Sequence, residues 1–126
     1  MIKPGLIALI VTLLAYLTAQ TIKGFFQKNK SFFTYGGNPS AHAASCAAFS
    51  TSVFLLEGPS LVFALSLLLT VIVVSDAVKL RQPVGQIATA VNKAHKTQLP
   101  ESLGHTSFQV LTGLILGILI ALLMLL

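Results

Sequence analysis

Charged side chains are scarce in this sequence. Asp, Glu, Lys and Arg together make up 9% of the 126 residues, and only three residues are acidic. A soluble domain of ordinary composition carries about a quarter charged residues, so this chain has too few to cover a surface that faces water. The composition therefore argues against an ordinary soluble domain and indicates a protein that is largely surrounded by lipid.

Cysteine is nearly absent as well. The single cysteine, Cys46, excludes a disulfide within the chain and a metal site built from several cysteines. His42, His105 and Asp76 lack the spacing of metal ligands. We therefore expect no metal and no other cofactor.

Basic residues outnumber acidic ones. Eight Lys and Arg against three Asp and Glu give a net charge of +5, which fits a membrane surface or an anionic ligand. Nucleic acid is not expected as a partner, because the basic residues lie beside apolar runs and no aromatic residues are interleaved with them.

The sequence is rich in long apolar runs. The hydrophobic fraction is 55% and the mean hydropathy is +0.88. About 20 apolar residues cross the hydrocarbon layer of a membrane, and four runs approach that length: about 5–26, 39–56, 59–79 and 106–126. A shorter run, about 84–96, has apolar residues at helical spacing but is too short and too polar to span, and the polar residues before it predict a break. We predict an all-α integral membrane protein with about four transmembrane helices and one interfacial amphipathic helix, in a single domain.

The first apolar run also has the order of a signal peptide, with Lys3 ahead of it. The segment Leu17-Thr18-Ala19 lacks the small residue expected before a cleavage point. A transmembrane helix is therefore the favoured interpretation.

Local signals predict where the helices begin. Asn38 is a typical N-cap with Pro39 at the first helical position, and Pro59 is expected to open the third span. Thr106 with Gln109 three residues later fits a capping box. These signals place helix starts after each of the polar loops.

Small residues predict how the helices pack. The second run, about 39–56, is unusually rich in small side chains. Small side chains let other helices approach closely, so this run is predicted to be the central helix. Gly113 and Gly117 form a small-xxx-small site in the last run. This site serves packing either within the chain or in a homodimer.

Alternate threading of four spans brings their polar ends to one membrane face. Lys23, the segment Ser40–His42, Asp76, Arg81 and His105 should meet there. Two helix N-termini add positive dipole ends and N–H groups, so this face should attract an anion with several oxygens, such as phosphate. Seven of the eight basic residues lie on this face, which predicts that it is cytoplasmic.

Each of these polar residues also has an ordinary structural interpretation. Lys23 and Arg81 could extend to the interface from the ends of spans. His42 could be a solvated interfacial residue, and Gln109 could serve only the capping box. Asp76 is harder to explain in this way, because an acid at the end of an apolar span is costly and usually has a partner.

Three ordered blocks resemble a known family. They are Gly36-Gly37-Asn38-Pro39-Ser40-Ala41-His42-Ala43, then Ser75-Asp76-Ala77 with Arg81, then Gly104-His105-Thr106. Together they resemble the divergent branch of the type-2 phosphatidic acid phosphatases, also described as acid phosphatase/vanadium-dependent haloperoxidase-related. The resemblance covers nearly the whole chain.

The resemblance implies a membrane-embedded, metal-independent phosphatase. Its substrate would be a lipid phosphate or an isoprenyl (di)phosphate, and the reaction would pass through a phosphohistidine. His105 resembles the nucleophile and His42 the general acid of the wider superfamily. The implied location is a bacterial-type inner membrane or a plastid-like membrane, with the site facing the cytoplasm.

The resemblance also implies roles for the neighbouring residues. Lys23 and Arg81 resemble the basic phosphate clamp, and Ser40 could hold a phosphate oxygen. Asp76 and Gln109 could orient the histidines or the arginine.

The chain departs from the family pattern at three positions. Ala41 and Ala43 stand where the signature has serine, and Gln109 stands where the family usually has glutamate. A carboxylate there could stabilise a charged imidazole, and losing the acid of a comparable pair can cost several powers of ten in rate. The alternative function is therefore a weak or inactive relative that binds lipid phosphate or serves as a small membrane subunit. A transporter or channel ranks third, because the spans contain too few polar residues for a pathway.

Overall fold

The fold is all-α, as predicted. The computed structural model describes residues 3–26, 37–101 and 104–126, except for the side chains at positions 81 and 82. The regular structure in these ranges is helical, with five α-helices and one π-helix: α1 Pro4–Phe26, α2 Ala41–Glu57, α3 Leu61–Ser75, the π-helix Asp76–Leu80, α4 Arg81–His95 and α5 Ser107–Leu125.

Serine residues cap α2 and α3. The hydroxyls of Ser40 and Ser60 accept the backbone N–H of the third residue beyond them, at 3.4 Å and 3.2 Å. The predicted N-cap at Asn38 and the predicted starts at Pro39 and Pro59 are therefore wrong by two residues. In both Pro-Ser pairs the hydroxyl satisfies one of the exposed N–H groups of the first turn, so the proline precedes the cap.

The predicted break between the third span and the amphipathic helix is absent. Helix α3, the π-helix and α4 follow one another without a gap from Leu61 to His95. A proline normally interrupts a helix, because its ring meets the carbonyl four residues back. For Pro83 that carbonyl belongs to Lys79, inside the π-helix, whose wider turn uses i→i+5 hydrogen bonds. The wider turn explains how the proline is accommodated.

This continuous helix is longer than a membrane is thick. Its 35 residues extend about 52 Å at about 1.5 Å per residue, whereas the hydrocarbon layer is ~30 Å thick. Residues 61–80 are enough to cross it. Helix α4 therefore reaches beyond the apolar layer, and Val84 and Ile87 on its surface remain exposed. Its predicted position in the interface stays a prediction.

Among the described residues, three helices are long and apolar enough to cross a membrane. They are α1, the helix that begins with α3, and α5, so the chain is an integral membrane protein. Helix α2 has 17 residues and contacts α1, α3 and α5. Its predicted central position is confirmed, while its role as a fourth span stays a prediction.

Helices α2 and α5 run parallel in close contact. A Cβ at Gly113 would meet the backbone carbonyl of Ser40, and one at Gly117 would meet that of Ala44. One further turn along both helices, Ala48 and Ala121 pack together. The predicted small-residue site therefore packs α5 against α2 within the chain.

Helices α1 and α3 run antiparallel to α2. Ala15 packs with Ala48, whereas the later Ala19 packs with the earlier Ala41. On the other side, the hydroxyls of Ser50 and Thr70 lie 2.9 Å apart, and Ala77, in the π-helix that continues α3, packs with Ala43. The end of α1, the start of α2, the end of α3 and the start of α5 therefore lie at one end of the bundle, here called the polar end.

Candidate functional site

Ser40 lies fully buried at the polar end. Its hydroxyl caps α2, and its backbone N–H donates to the carbonyl oxygen of Gln109 at 2.9 Å. This bond ties the start of α2 to the first turn of α5. The predicted contact of the Ser40 hydroxyl with phosphate stays a prediction.

His105 lies just before α5 and is buried, with 7% of its surface exposed. Its backbone N–H donates to the carbonyl oxygen of Ala77 at 3.2 Å, which fixes it against the π-helix that follows α3. Its Nδ1 lies 3.3 Å from Oε1 of Gln109, one helical turn further on. The backbone and the side chain of His105 are thus each positioned by a neighbouring helix.

Gln109 completes the predicted capping box, and its side chain also contacts His105, while its predicted role in orienting the histidine stays a prediction. The Thr106 hydroxyl accepts the Gln109 backbone N–H at 3.3 Å, and Oε1 of Gln109 accepts the Thr106 backbone N–H at 3.1 Å, which completes the capping box. A backbone N–H only donates, so the atom that faces it must be the amide oxygen. The same oxygen faces Nδ1 of His105. That nitrogen must then carry the proton, which leaves the lone pair of the neutral ring on Nε2.

His42 and Asp76 line one cavity at the polar end. It has a volume of about 220 Å³, and Ile72, Val73 and Ala77 complete its lining. The carbonyl of Ala77, next to Asp76, is the group that accepts the His105 backbone N–H. Within the described residues, no group of three or more His, Cys, Asp or Glu side chains is arranged to hold a metal ion.

Lys23 is buried in the last turn of α1, with 4% of its surface exposed. The interpretation as a lysine that extends to the interface does not fit this burial. Gln20, one turn earlier, is also buried and donates from Nε2 to the Tyr16 hydroxyl at 2.9 Å. A buried ammonium is stable only where polar or anionic groups surround it, so Lys23 marks a polar part of the bundle.

Arg81 is the first residue of α4, five positions after Asp76. Its side chain lies outside the described part of the structure, as does the Gly36 that begins the first motif block. Its predicted role in holding phosphate therefore stays a prediction.

The structure brings five of the predicted site residues into one connected set, here called the polar ring. His42 and Asp76 line the same cavity, and the carbonyl of the residue after Asp76 accepts the His105 backbone N–H. The His105 side chain contacts Gln109. The carbonyl of Gln109 accepts the backbone N–H of Ser40, two positions before His42. Lys23 is contributed from α1, which packs against both α2 and α5.

Sequence reasoning missed a clamp on the loop that leads to His105. The side chain of Asn92 donates to the Leu99 carbonyl at 2.9 Å and to Glu101 at 2.7 Å, and it accepts from Thr97 at 2.6 Å and from the Leu99 N–H at 2.9 Å. Thr89 donates to the other oxygen of Glu101 at 3.0 Å. These bonds fix residues 96–101 on α4. The only sequence signal for these hydrogen bonds was the presence of Asn92 near the end of the amphipathic helix.

The clamp should be sensitive to acid. Donation from Asn92 and then from Thr89, with the charge of Lys93, lowers the pKa of the exposed Glu101 carboxyl. A lowered pKa in the folded state stabilises the clamp at pH values above the ordinary glutamate pKa of about 4.3, and that contribution disappears as the pH falls through the lowered pKa. An NMR titration of Glu101 should give a midpoint below the ordinary value. Asn92→Ala should raise this midpoint more than Lys93→Ala does, and an unchanged midpoint in Asn92→Ala would refute the clamp.

Comparisons with known proteins identify the family of this chain. The model of the Divergent PAP2 family matches residues 6–120. The chain is 34% identical over 109 residues to the uncharacterized membrane protein YuiD of Bacillus subtilis, with 69% of each chain covered. No solved structure matches. The match of the family model over most of the chain shows that this protein belongs to the Divergent PAP2 family.

Proposed function

We propose that this protein is a metal-independent membrane phosphatase that hydrolyses a lipid phosphate or an isoprenyl (di)phosphate through a phosphohistidine on His105. The observation that carries the proposal is the contact of His105 Nδ1 with the amide oxygen of Gln109 at 3.3 Å. It directs the lone pair of the neutral ring to Nε2, the nitrogen that would attack phosphorus.

The reaction needs two proton transfers. Nε2 of His105 attacks phosphorus in line with the ester oxygen, the P–O bond breaks, and protonated His42 gives its proton to the leaving alkoxide. Water then attacks the phosphohistidine while neutral His42 takes a proton from it. The P–N bond breaks, phosphate leaves, and both histidines return to their starting state.

Positive groups at the polar end would hold the phosphate oxygens. Phosphoryl transfer depends mostly on positioning and on stabilisation of charge. The N-termini of α2 and α5 both lie at this end, and each attracts anions. Lys23 and Arg81 would add full charges, and burial of Lys23 strengthens its attraction to an anion.

Asp76 would act on His42, with which it lines a cavity. A carboxylate beside an imidazole favours the protonated ring, which is the form that a general acid needs. Asp76 is therefore proposed as a positioning residue.

The proposed topology has four spans in one domain, with the polar end at the cytoplasmic side of a bacterial-type inner membrane. Lys79, Lys93 and Lys96 follow the polar end of α3 along the chain, whereas Lys3 lies at the opposite end of α1. The excess of positive charge favours this orientation. Helix α4 would lie in the interface, with Val84 and Ile87 against the lipid.

The test is phosphate release by the purified protein from a panel of lipid and isoprenyl phosphates. We expect release from at least one substrate at the same rate with and without EDTA. Lys23→Gln should raise KM, whereas Lys3→Gln, at the other end of α1, should not. Activity that requires a divalent cation would contradict the metal-independent route.

A second function is favoured by one observation. Gln109 orients His105 but carries no charge, so the imidazolium that forms during turnover lacks an acidic partner at this position. A binder of lipid phosphate without turnover would show no release in the panel. It would still bind vanadate, and Lys23→Gln would weaken that binding.

Restoring the acid should raise the rate. Gln109→Glu keeps an oxygen for Nδ1 of His105 and for the capping box, and it adds a charge that stabilises imidazolium. Since removal of the acid in a comparable pair costs up to ~10⁴ in rate, we expect phosphate release to increase at least about tenfold. Gln109→Leu is the control and should reduce release. Equal rates for glutamine and glutamate would show that this departure from the family pattern has no effect.

A further inference from the structure

A groove opens between α1 and α3 on the side of α2 that faces away from α5. It has a volume of about 260 Å³, and its lining includes Thr12 of α1, Thr70 of α3, and Ser45, Cys46 and Phe49 of α2. The small residues of α2 form its floor. We call it the α1–α3 groove.

The groove and the cavity of His42 and Asp76 follow one another along the same helix faces. On α2, His42 is followed one turn later by Ser45 and Cys46, and one more turn later by Phe49. On α3, Thr70 of the groove lies one turn before the Val73 that lines the cavity. His42 and Phe49 are about 10 Å apart along α2, of which the groove from Ser45 to Phe49 covers about 6 Å.

The hydroxyls that line the groove are already used by their own helices. Thr12 donates to the Ala8 carbonyl at 2.7 Å, and Ser45 donates to the Ala41 carbonyl at 2.8 Å. Thr70 donates in the same way to its own helix, at 2.8 Å. A hydroxyl that donates to the carbonyl four residues back has already used its single hydrogen, so it has none to offer a ligand. The groove therefore offers an apolar surface from its first turn.

We propose that the α1–α3 groove holds the apolar chain of the substrate while its phosphate lies at the polar end. This inference rests on the proposed function. Because the apolar surface begins one helical turn from His42, the chain must begin close to the phosphate. That geometry selects phosphate esters of long-chain alcohols, such as alkyl or isoprenyl phosphates. Phosphatidate is disfavoured, because its glycerol and ester oxygens would lie where polar partners are already engaged.

The first test fills the groove. Cys46→Phe should lower kcat/KM for dodecyl phosphate by about tenfold, which equals the loss of about two buried methylene groups. For butyl phosphate, whose chain barely reaches the groove, the value should stay within about twofold. Leu68→Phe, on the lipid-exposed surface of α3, is the matched control and should change neither. Equal losses with both substrates would overturn the proposal.

The second test uses the unmodified chain and needs no turnover. Cys46 is the only cysteine in the sequence, so alkylation of the protein reports on the groove directly. Dodecyl phosphate should slow alkylation by a membrane-permeant maleimide, whereas phosphatidate or inorganic phosphate should not. Protection without phosphate release from any substrate would refute the phosphatase but support the groove. Phosphate release without protection, or equal protection by phosphatidate, would refute the groove alone.

Discussion

Phosphate release should fall by about a thousandfold or more when His105 is replaced by alanine. The substitution removes the Nε2 lone pair that attacks phosphorus, and loss of a covalent nucleophile generally removes most of the rate enhancement of an enzyme. The side chain of His105 is buried just before α5, but its bond to the π-helix is made by its backbone N–H, which alanine keeps. The loss should therefore be in kcat with a folded protein, as measured by phosphate release at saturating substrate.

The chain supplies a matched control for this prediction. His95 ends α4 and is exposed. His95→Ala should leave kcat within about twofold of the starting protein. A His105→Ala variant that keeps a comparable rate would remove His105 from the chemistry.

The second large effect concerns the packing of α2 against α5. Alanine in place of glycine normally stabilises a helix by about 0.5–1 kcal/mol. At Gly117, however, the added Cβ would lie 2.9 Å from the backbone nitrogen of Ala48 and closer still to the carbonyl oxygen of Ala44. Backbone atoms cannot rotate away, so the two helices must separate. We expect Gly117→Ala to lower the free energy of unfolding by about 1–3 kcal/mol.

Two other glycines serve as controls for this prediction. A Cβ at Gly5 or at Gly24 would meet nothing within 4 Å, so both alanine variants should be neutral or slightly stabilising. Unfolding in mixed detergent micelles measures all three free energies. A Gly117→Ala variant as stable as the Gly5→Ala variant would show that α2 and α5 do not pack as described.

The helical class and the convergence of polar ends could be predicted from the sequence. Both depend on short-range signals, namely the length of apolar runs and the alternation of direction between successive helices. The same simple rule places Lys23, Ser40, Asp76 and His105 at one end of the bundle. Glycines at a spacing of four also predicted a close helix contact in α5, but its partner, α2, comes from the structure.

Helix boundaries were predicted less well. Proline and serine stand together before α2 and α3, and proline at the first helical position competes with serine as the N-cap. The structure resolves this competition in favour of Ser40 and Ser60. The break predicted before α4 is absent for a different reason. A π-helix accommodates Pro83, and no sequence pattern predicts a π-helix at this position.

The candidate site was predicted in part. The contact of His105 with Gln109 was expected from their spacing of four, but His105 lies before the N-cap of α5, so the contact depends on how the chain enters the helix. The clamp of Asn92 on Glu101 joins a helix to a loop nine residues later, and it needs the loop conformation that the structure provides. The α1–α3 groove depends on how two helices pack on a third, so it has no local signal at all.

One measurement tests the central claim, which is that His42 and His105 belong to a single phosphate site at the polar end. The chain has three histidines, so ¹⁵N-histidine labelling gives three sets of ring resonances to follow while vanadate, a phosphate analogue, is added. The account predicts that the rings of His42 and His105 respond together, with one affinity, while the ring of His95 does not. Rings of His42 and His105 that respond independently, or that respond no more than His95, would contradict it.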